Sequence, residues 1–350
     1  MSNSDRKVLI LSTGGTIAAA PRANGCLYPE PLTRERLLKA IPDLEAGCRI
    51  DVLPLMSKDS VNMEPQDWVT ISETVYENIN AYDGIVVIHG LDTLAYTAAA
   101  LSLALHDLPV PVVLVGSATP CDFPASDAQE AISNAMLVAC RSQIAEVCIM
   151  SDSRIIRGNR AKRIREIDLK NFASSGIPPL GYIDTKRITF QERYRKRSVC
   201  SCRIDAAFSP MVTGLTIYPG FPLKLLEAAI AAQPQSIVLM GYGSGCIPVE
   251  GAYSLLPLIE QYNQEILFVI SSQIAHSQCW VEAHQVGDVL LQAGAVSAGD
   301  MTYETALVKL MWIHAHTSDR SETIHMLKSN YAGEISPQAL NDADDYFVMK

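Results

Sequence analysis

The sequence predicts an α/β protein built on parallel sheets, and three observations carry that reading. Short β-rich apolar runs alternate with longer helix-periodic segments along most of the 350 residues. The apolar runs are continuous, as in strands covered by helices on both faces. Two blocks of this alternation flank a different stretch, 151–212, which is rich in Arg and Lys and only weakly periodic. In the first block strands are expected at 7–12, 49–55, 84–89, 110–115 and 146–150, with helices at 65–80, 93–106 and 126–140 between them. In the second block strands are expected at 214–218, 236–240 and 266–270, and helices at 222–232, 253–262 and 302–316. A domain boundary falls near the end of the basic stretch.

Composition narrows the class. With 48% hydrophobic and 19% charged residues the chain is neither disordered nor fibrous. A formal net charge of -10 disfavours a nucleic-acid or anionic-membrane surface, because the long-range field repels phosphate. Small-molecule chemistry is the expected business. No signal segment and no apolar run near the roughly 20 residues needed to span a bilayer is visible, so a cytoplasmic location is expected. The nine cysteines are scattered through apolar segments and read as reduced thiols. The one close pair, Cys200 and Cys202, lacks a second pair at zinc-site spacing, so no metal is expected. The basic run Arg193-Tyr194-Arg195-Lys196-Arg197 reads as a solvated face rather than a nucleic-acid patch, and the residues from Ser336 onward as a loose tail.

Two glycine turns stand out. The first strand runs into Thr13-Gly14-Gly15-Thr16-Ile17, where paired glycines let the backbone approach a ligand and Thr16 offers a hydroxyl nucleophile. A phosphate-binding turn and a purely structural turn are the rival readings, though the spacing matches neither common phosphate motif. The third strand ends in His89-Gly90-Leu91-Asp92-Thr93 before an alanine-rich helix, and Asp92 alone would read as a helix cap. Two such turns at the ends of separate strands can converge on one crevice.

These residues resemble the paired signatures of the bacterial L-asparaginase and glutaminase family, and most of all its cytoplasmic type I branch. Further matches include Pro54-Leu55-Met56, Asp59-Ser60, Asp67-Trp68, Tyr96-Thr97-Ala98, Arg157-Gly158-Asn159-Arg160, Gly241-Tyr242-Gly243 and Gly299-Asp300-Met301-Thr302. The resemblance implies a two-domain asparaginase-like fold: a catalytic domain over 1–190, a linker over 191–212, a smaller α/β domain over 213–335 and a tail over 336–350. It also implies a homodimer or homotetramer, no cofactor, and a small amino-acid amide as substrate. By the same resemblance Thr16 is the nucleophile, and Asp59 and Ser60 hold the α-amino and α-carboxylate groups. Asp92 contacts the ammonium and orients the proton relay, while backbone N–H groups around Gly15 and Leu91 stabilise the oxyanion.

Four departures accompany the matches. Leu91 stands where the family has a second catalytic threonine, and leucine can neither donate nor accept a proton. The relay lysine is expected three residues after Arg160, where this chain has Arg163, with Lys162 one position early; arginine stays protonated and cannot shuttle a proton. In the mobile loop the family's Gly-Tyr becomes Gly25-Cys26-Leu27-Tyr28, with Tyr28 expected to close over the site. The family's Thr-Gln-Cys segment, tied in some members to allosteric asparagine, appears as Ser272-Gln273-Ile274. The expectation is an amidohydrolase of the asparaginase type, acting on the side-chain amide of L-asparagine or a related, N-substituted amino acid. A paralogue that binds an amino acid or partner without turnover is the alternative. An amidotransferase component acting with a tRNA-charging partner is a third reading, disfavoured because such chains carry an added N-terminal domain whereas here the first motif comes almost at once.

Overall fold

The structure is a computed structural model and describes residues 6–45, 47–166, 170–185, 187–191, 194–197, 201–275, 279, 281 and 284–336. Arg193, Cys200 and the tail 337–350 lie outside the described residues. The chain divides into two compact units, one taking in residues through Ser174 together with Pro178–Ala206, the other Ser175–Ile177 and the residues from Ala207 onward.

Unit 1 opens with β1 (Lys7–Gly14), the short hairpin β2 (Ala19–Pro21) and β3 (Leu27–Pro29), and helix α1 (Arg34–Ala40). Strand β4 (Arg49–Lys58), α2 (Pro65–Asn78), β5 (Gly84–Ile88), α3 (Leu94–Ala104), β6 (Leu105–His106), β7 (Val112–Val115) and α4 (Asp127–Arg141) follow. The remainder is strand: β8 (Val147–Ser151), β9 (Arg154–Arg157), β10 (Ala161–Arg163), β11 (Phe172–Ser174), β12 (Gly181–Asp184), β13 (Arg187–Phe190) and β14 (Arg203–Ile204).

The main sheet has the order β13-β12-β9-β8-β7-β5-β1-β4. Strands β4, β1, β5, β7 and β8 are parallel, and β9, β12 and β13 extend the sheet as an antiparallel edge. That edge falls inside the stretch 151–212, where the sequence shows weak periodicity. Its strands have only four residues each, and β12 and β13 alternate between inward and outward residues, so a half-exposed edge carries little continuous apolar signal. Within 191–212, β14 pairs antiparallel with β6.

Two layers of helix cover the sheet, because successive residues of a strand point to opposite faces. Val8 and Ile10 join Val86, Ile88, Val113 and Val115 against α4 and α1. Leu9 and Leu11 join Ile85, Val87, Val112 and Leu114 against α2 and α3. Both faces are apolar, which is why the central strands read as continuous runs.

Unit 2 holds a four-stranded parallel sheet, β15 (Val212–Thr216), β16 (Ser236–Gly241), β17 (Leu267–Ser272) and β18 (Val296–Ser297), in that order. Helices α5 (Leu223–Ala231), α6 (Leu256–Tyr262) and α7 (Gln285–Gln292) pack on it through Leu226, Ile259 and Leu290, and α8 (Tyr303–His314) and α9 (Arg320–Lys328) follow. Several residues matched by the family resemblance serve this unit's own folding. Thr302 caps α8 by accepting from the Thr305 N–H, and Asp300 receives the Ser336 N–H at 3.0 Å. Gln273 donates to the carbonyls of Ile217 and Met240 at 2.6 and 3.0 Å, while Ile274 is exposed.

No described helix is long and apolar enough to cross a membrane. All eight cysteines among the described residues are free, and all but Cys26 and Cys246 are buried.

Candidate active site

Topology alone picks out a place for the site. In the order β4-β1-β5-β7-β8, the connection leaving β1 runs to one side and the later strands continue on the other, so the crevice opens at the carboxyl ends of β1 and β5. Both glycine turns are there.

The turn after β1 is fixed by backbone geometry. Gly14 and Gly15 adopt φ of 110° and 68°, values that side chains rarely tolerate. A Cβ on Gly15 would lie 2.5 Å from the Gly90 nitrogen and 2.6 Å from its Cα. A Cβ on Gly90 would run into the Ser60 hydroxyl. The three loops after β1, β4 and β5 therefore meet with nothing between them but backbone and one serine. Thr93 ties two of them by donating to the Ser60 carbonyl at 2.7 Å, and Thr13 ties β1 to β5 by donating to the Ile88 carbonyl at 2.9 Å. Thr16 begins a single 3-10 turn, Thr16–Ala18, directly after Gly15, and is half-buried at the lip of this crevice.

Asp59 and Ser60 stand on the next loop. Asp59 is exposed and caps the turn Ser60–Asn62 by accepting from the Val61 N–H at 3.2 Å. Ser60 is buried and its hydroxyl has no hydrogen-bond partner, an orphan of the kind that a bound polar group would satisfy. The preceding Lys58 grips both carboxylate oxygens of Asp67 at 2.7 Å, and its carbonyl accepts the Gly15 N–H at 2.9 Å.

On the β5 loop, His89 is wholly buried; desolvation brings its pKa down to about 4, against the opposing pull of its bond to the Gly90 carbonyl and the Asp67 charge. The neutral ring bonds the Gly90 carbonyl at 2.7 Å and the Thr97 hydroxyl at 2.9 Å, and so orients the glycine that packs on Gly15. Asp92 is exposed and forms an ion pair with Arg163. Arg163 also reaches the carbonyls of Arg165 and Glu166, each at 3.4 Å.

The chain matches the family described as "Asparaginase, N-terminal" over residues 7–196 and "Glutaminase/Asparaginase C-terminal domain" over residues 211–327. It belongs to the asparaginase family. An L-asparaginase of Thermococcus kodakarensis is 35% identical over 94% of this chain and 99% of its own length. The solved structure of the thermostable L-asparaginase from that organism superposes with a TM-score of 0.88 at 35% identity, over 94% of this chain and 99% of the other. L-asparaginase I of Vibrio cholerae superposes with a TM-score of 0.83 at 26% identity, over 95% and 100% of the two chains. A chain of the glutamyl-tRNA(Gln) amidotransferase of Pyrococcus horikoshii is 34% identical over 94% of this chain and 77% of its own length.

Set against the asparaginase-family expectations, the structure brings Gly15, Thr16, Ser60 and the Gly90–Thr93 loop together, and joins Asp92 to Arg163. Gly15, Leu91 and Tyr28 are placed as follows. The Gly15 N–H is bonded to the Lys58 carbonyl at 2.9 Å. Leu91 is only 7% exposed, belongs to the apolar core on the α2–α3 face of the sheet, and its side chain fills the space where a Cβ on Gly116 would stand. Tyr28 lies opposite Ala20 in the β2–β3 hairpin, where its hydroxyl accepts from Asn24 at 3.3 Å and the Arg22 guanidinium sits 4.0 Å from its ring.

Lys162 and Arg163 are neighbours on β10, paired opposite Ala173 and Phe172, so alternation sends their side chains to opposite faces. Arg163 is the residue ion-paired to Asp92. Lys58, His89 and Thr93 have supporting roles that sequence reasoning leaves unassigned. His89 falls inside the turn motif after β5, but only its burial shows what it holds.

Proposed function

We propose that the chain is an amidohydrolase in which Thr16 attacks the side-chain amide of L-asparagine or of a related, N-substituted amino acid. The observation that supports this reading is the packing of Gly15 on Gly90 and of Gly90 on Ser60, which brings the turn leading into Thr16 against the loops that carry the unpartnered Ser60 hydroxyl and Asp92. The Thr16 oxygen bonds to the amide carbon, and the C–N bond breaks with departure of ammonia or an amine. Water then cleaves the resulting ester. Asp59, Ser60 and Asp92 hold the amino-acid head group, and the Leu91 amide contributes to the oxyanion site.

The proton relay is the altered part. Arg163 holds Asp92 in place but cannot exchange a proton, and Lys162 faces away from it, so turnover is slower by the roughly 10² to 10⁴ that general acid–base help supplies. The reading includes a cytoplasmic homodimer or homotetramer that needs no cofactor.

A second reading is favoured by the same ion pair: a family member that binds an amino acid without hydrolysing it. Release of ammonia or amine from L-asparagine, D-asparagine, L-glutamine and N-substituted asparagines separates the two. Slow but saturable release from at least one compound is expected. Thermal stabilisation without release would move the assignment to a binding protein, and neither effect with any compound would overturn both readings.

A further inference from the structure

We propose that Arg36 is a positioning residue for Thr16, holding the one-turn helix that carries it and the root of the hairpin that carries Tyr28. The turn Thr16–Ala18 has little of its own to keep it in place, since a three-residue 3-10 segment closes on the single bond from the Ala19 N–H to the Thr16 carbonyl. What holds it comes from outside. The Cys121 N–H bonds the Ile17 carbonyl at 3.1 Å, and the Glu30 N–H bonds the Ala18 carbonyl at 3.2 Å. Arg36 supplies the rest, donating from Nη1 to the Ala18 carbonyl at 2.8 Å and from Nη2 to the Ala19 carbonyl at 2.6 Å.

The guanidinium is itself anchored. Its Nε and Nη2 engage the two carboxylate oxygens of Asp122 at 3.2 Å each, on the same loop as Cys121. Its backbone is set by the Thr33 cap of α1, whose hydroxyl accepts the Arg36 N–H at 3.2 Å. The side chain is 18% exposed. One planar fork thus joins α1, the end of the Thr16 turn, the start of β2 and the loop after β7, a geometry that the single ammonium of a lysine cannot reproduce. A reacting hydroxyl displaced by about 1 Å can lose roughly 10² in rate, and the carbonyls that Arg36 holds are two and three residues from Thr16.

The inference rests on Thr16 being the nucleophile, so its test has one arm that needs no substrate. In the full chain, backbone hydrogen–deuterium exchange is followed by mass spectrometry for wild type, Arg36→Met, Arg36→Lys and Asp122→Asn, alongside kcat and KM on the best compound of the amide panel. Arg36→Met is expected to speed exchange at least tenfold in peptides covering 17–30 and to leave unit 2 unchanged. It is expected to lower kcat about 10²-fold with KM moved less than about threefold, and Arg36→Lys to recover part of both effects. Unchanged exchange at 17–30 would overturn the proposal. So would exchange rising evenly through unit 1, or kcat within twofold of wild type. If Arg36→Met does not fold, Arg36→Lys and Asp122→Asn are judged by the same criteria, since each retains part of the fork. Loss of turnover in Thr16→Ala is scored separately, so failure of the nucleophile assignment is told apart from failure of the clamp.

Discussion

The double variant Leu91→Thr with Arg163→Lys is expected to hydrolyse L-asparagine about 10² to 10⁴ times faster than wild type, the span that general acid–base assistance covers. The reason lies in what the two positions now do. Arg163 is ion-paired to Asp92 but permanently charged; a lysine there keeps the pairing and gains the ability to give up a proton. Leu91 is an apolar core residue over Gly116, so a threonine costs about 1–3 kcal/mol of packing while adding a hydroxyl next to the Asp92 backbone. Groups that act as one relay are far from additive, so either single change should give much less than the pair. Steady-state ammonia release with unfolding midpoints on all three variants checks this. A double variant that folds as wild type does and shows no gain would remove the relay as the limiting element.

Lys309→Met is expected to destabilise unit 2 by about 3–5 kcal/mol, the usual result of leaving one member of a buried pair without its partner. Lys309 and Glu334 are both fully buried and 2.8 Å apart. The ammonium also donates to the Leu327 carbonyl at 2.9 Å, and the carboxylate receives the N–H groups of Tyr331 and Ala332 at 2.9 and 2.6 Å. Burial by itself would raise the Glu334 pKa, yet the Lys309 charge and these hydrogen bonds hold it below the usual carboxylate range. The stabilisation is therefore present above the unfolded carboxylate pKa of about 4.3 and is lost as pH falls through the lower folded value. Trp312 lies 5.0 Å from Tyr331, so tryptophan fluorescence during urea unfolding reads the loss. Adding Glu334→Leu to Lys309→Met should recover much of it, because two apolar residues leave no orphan charge. Equal urea midpoints for wild type and Lys309→Met would contradict the assignment.

How much of the molecule is legible from sequence follows from what each feature depends on. The parallel core is readable because its strands are buried on both faces, and the β1 and β5 turns because glycines interrupt apolar runs where a crevice forms. The strands β9, β12 and β13 are not, since each has only four residues and β12 and β13 alternate between inward and outward positions, which leaves no run to count. Arg163 can be placed three residues after Arg160 from the sequence, but its meeting with Asp92 depends on the pairing of β10 with β11, which sets the faces of Lys162 and Arg163. The burial of Leu91 likewise depends on Gly116, a residue of a distant loop. Arg36 carries no signal at all: its partners are two backbone carbonyls and a carboxylate 86 positions along the chain.

Whether Thr16 performs the chemistry is decided by amide hydrolysis by wild type and by Thr16→Ala at equal concentration, on whichever compound wild type turns over fastest. A loss of at least about 10³-fold with the fold intact is expected, since removing a nucleophile eliminates the covalent route. Thr16→Ala working at the wild-type rate would contradict it and send the search for the nucleophile elsewhere in the crevice.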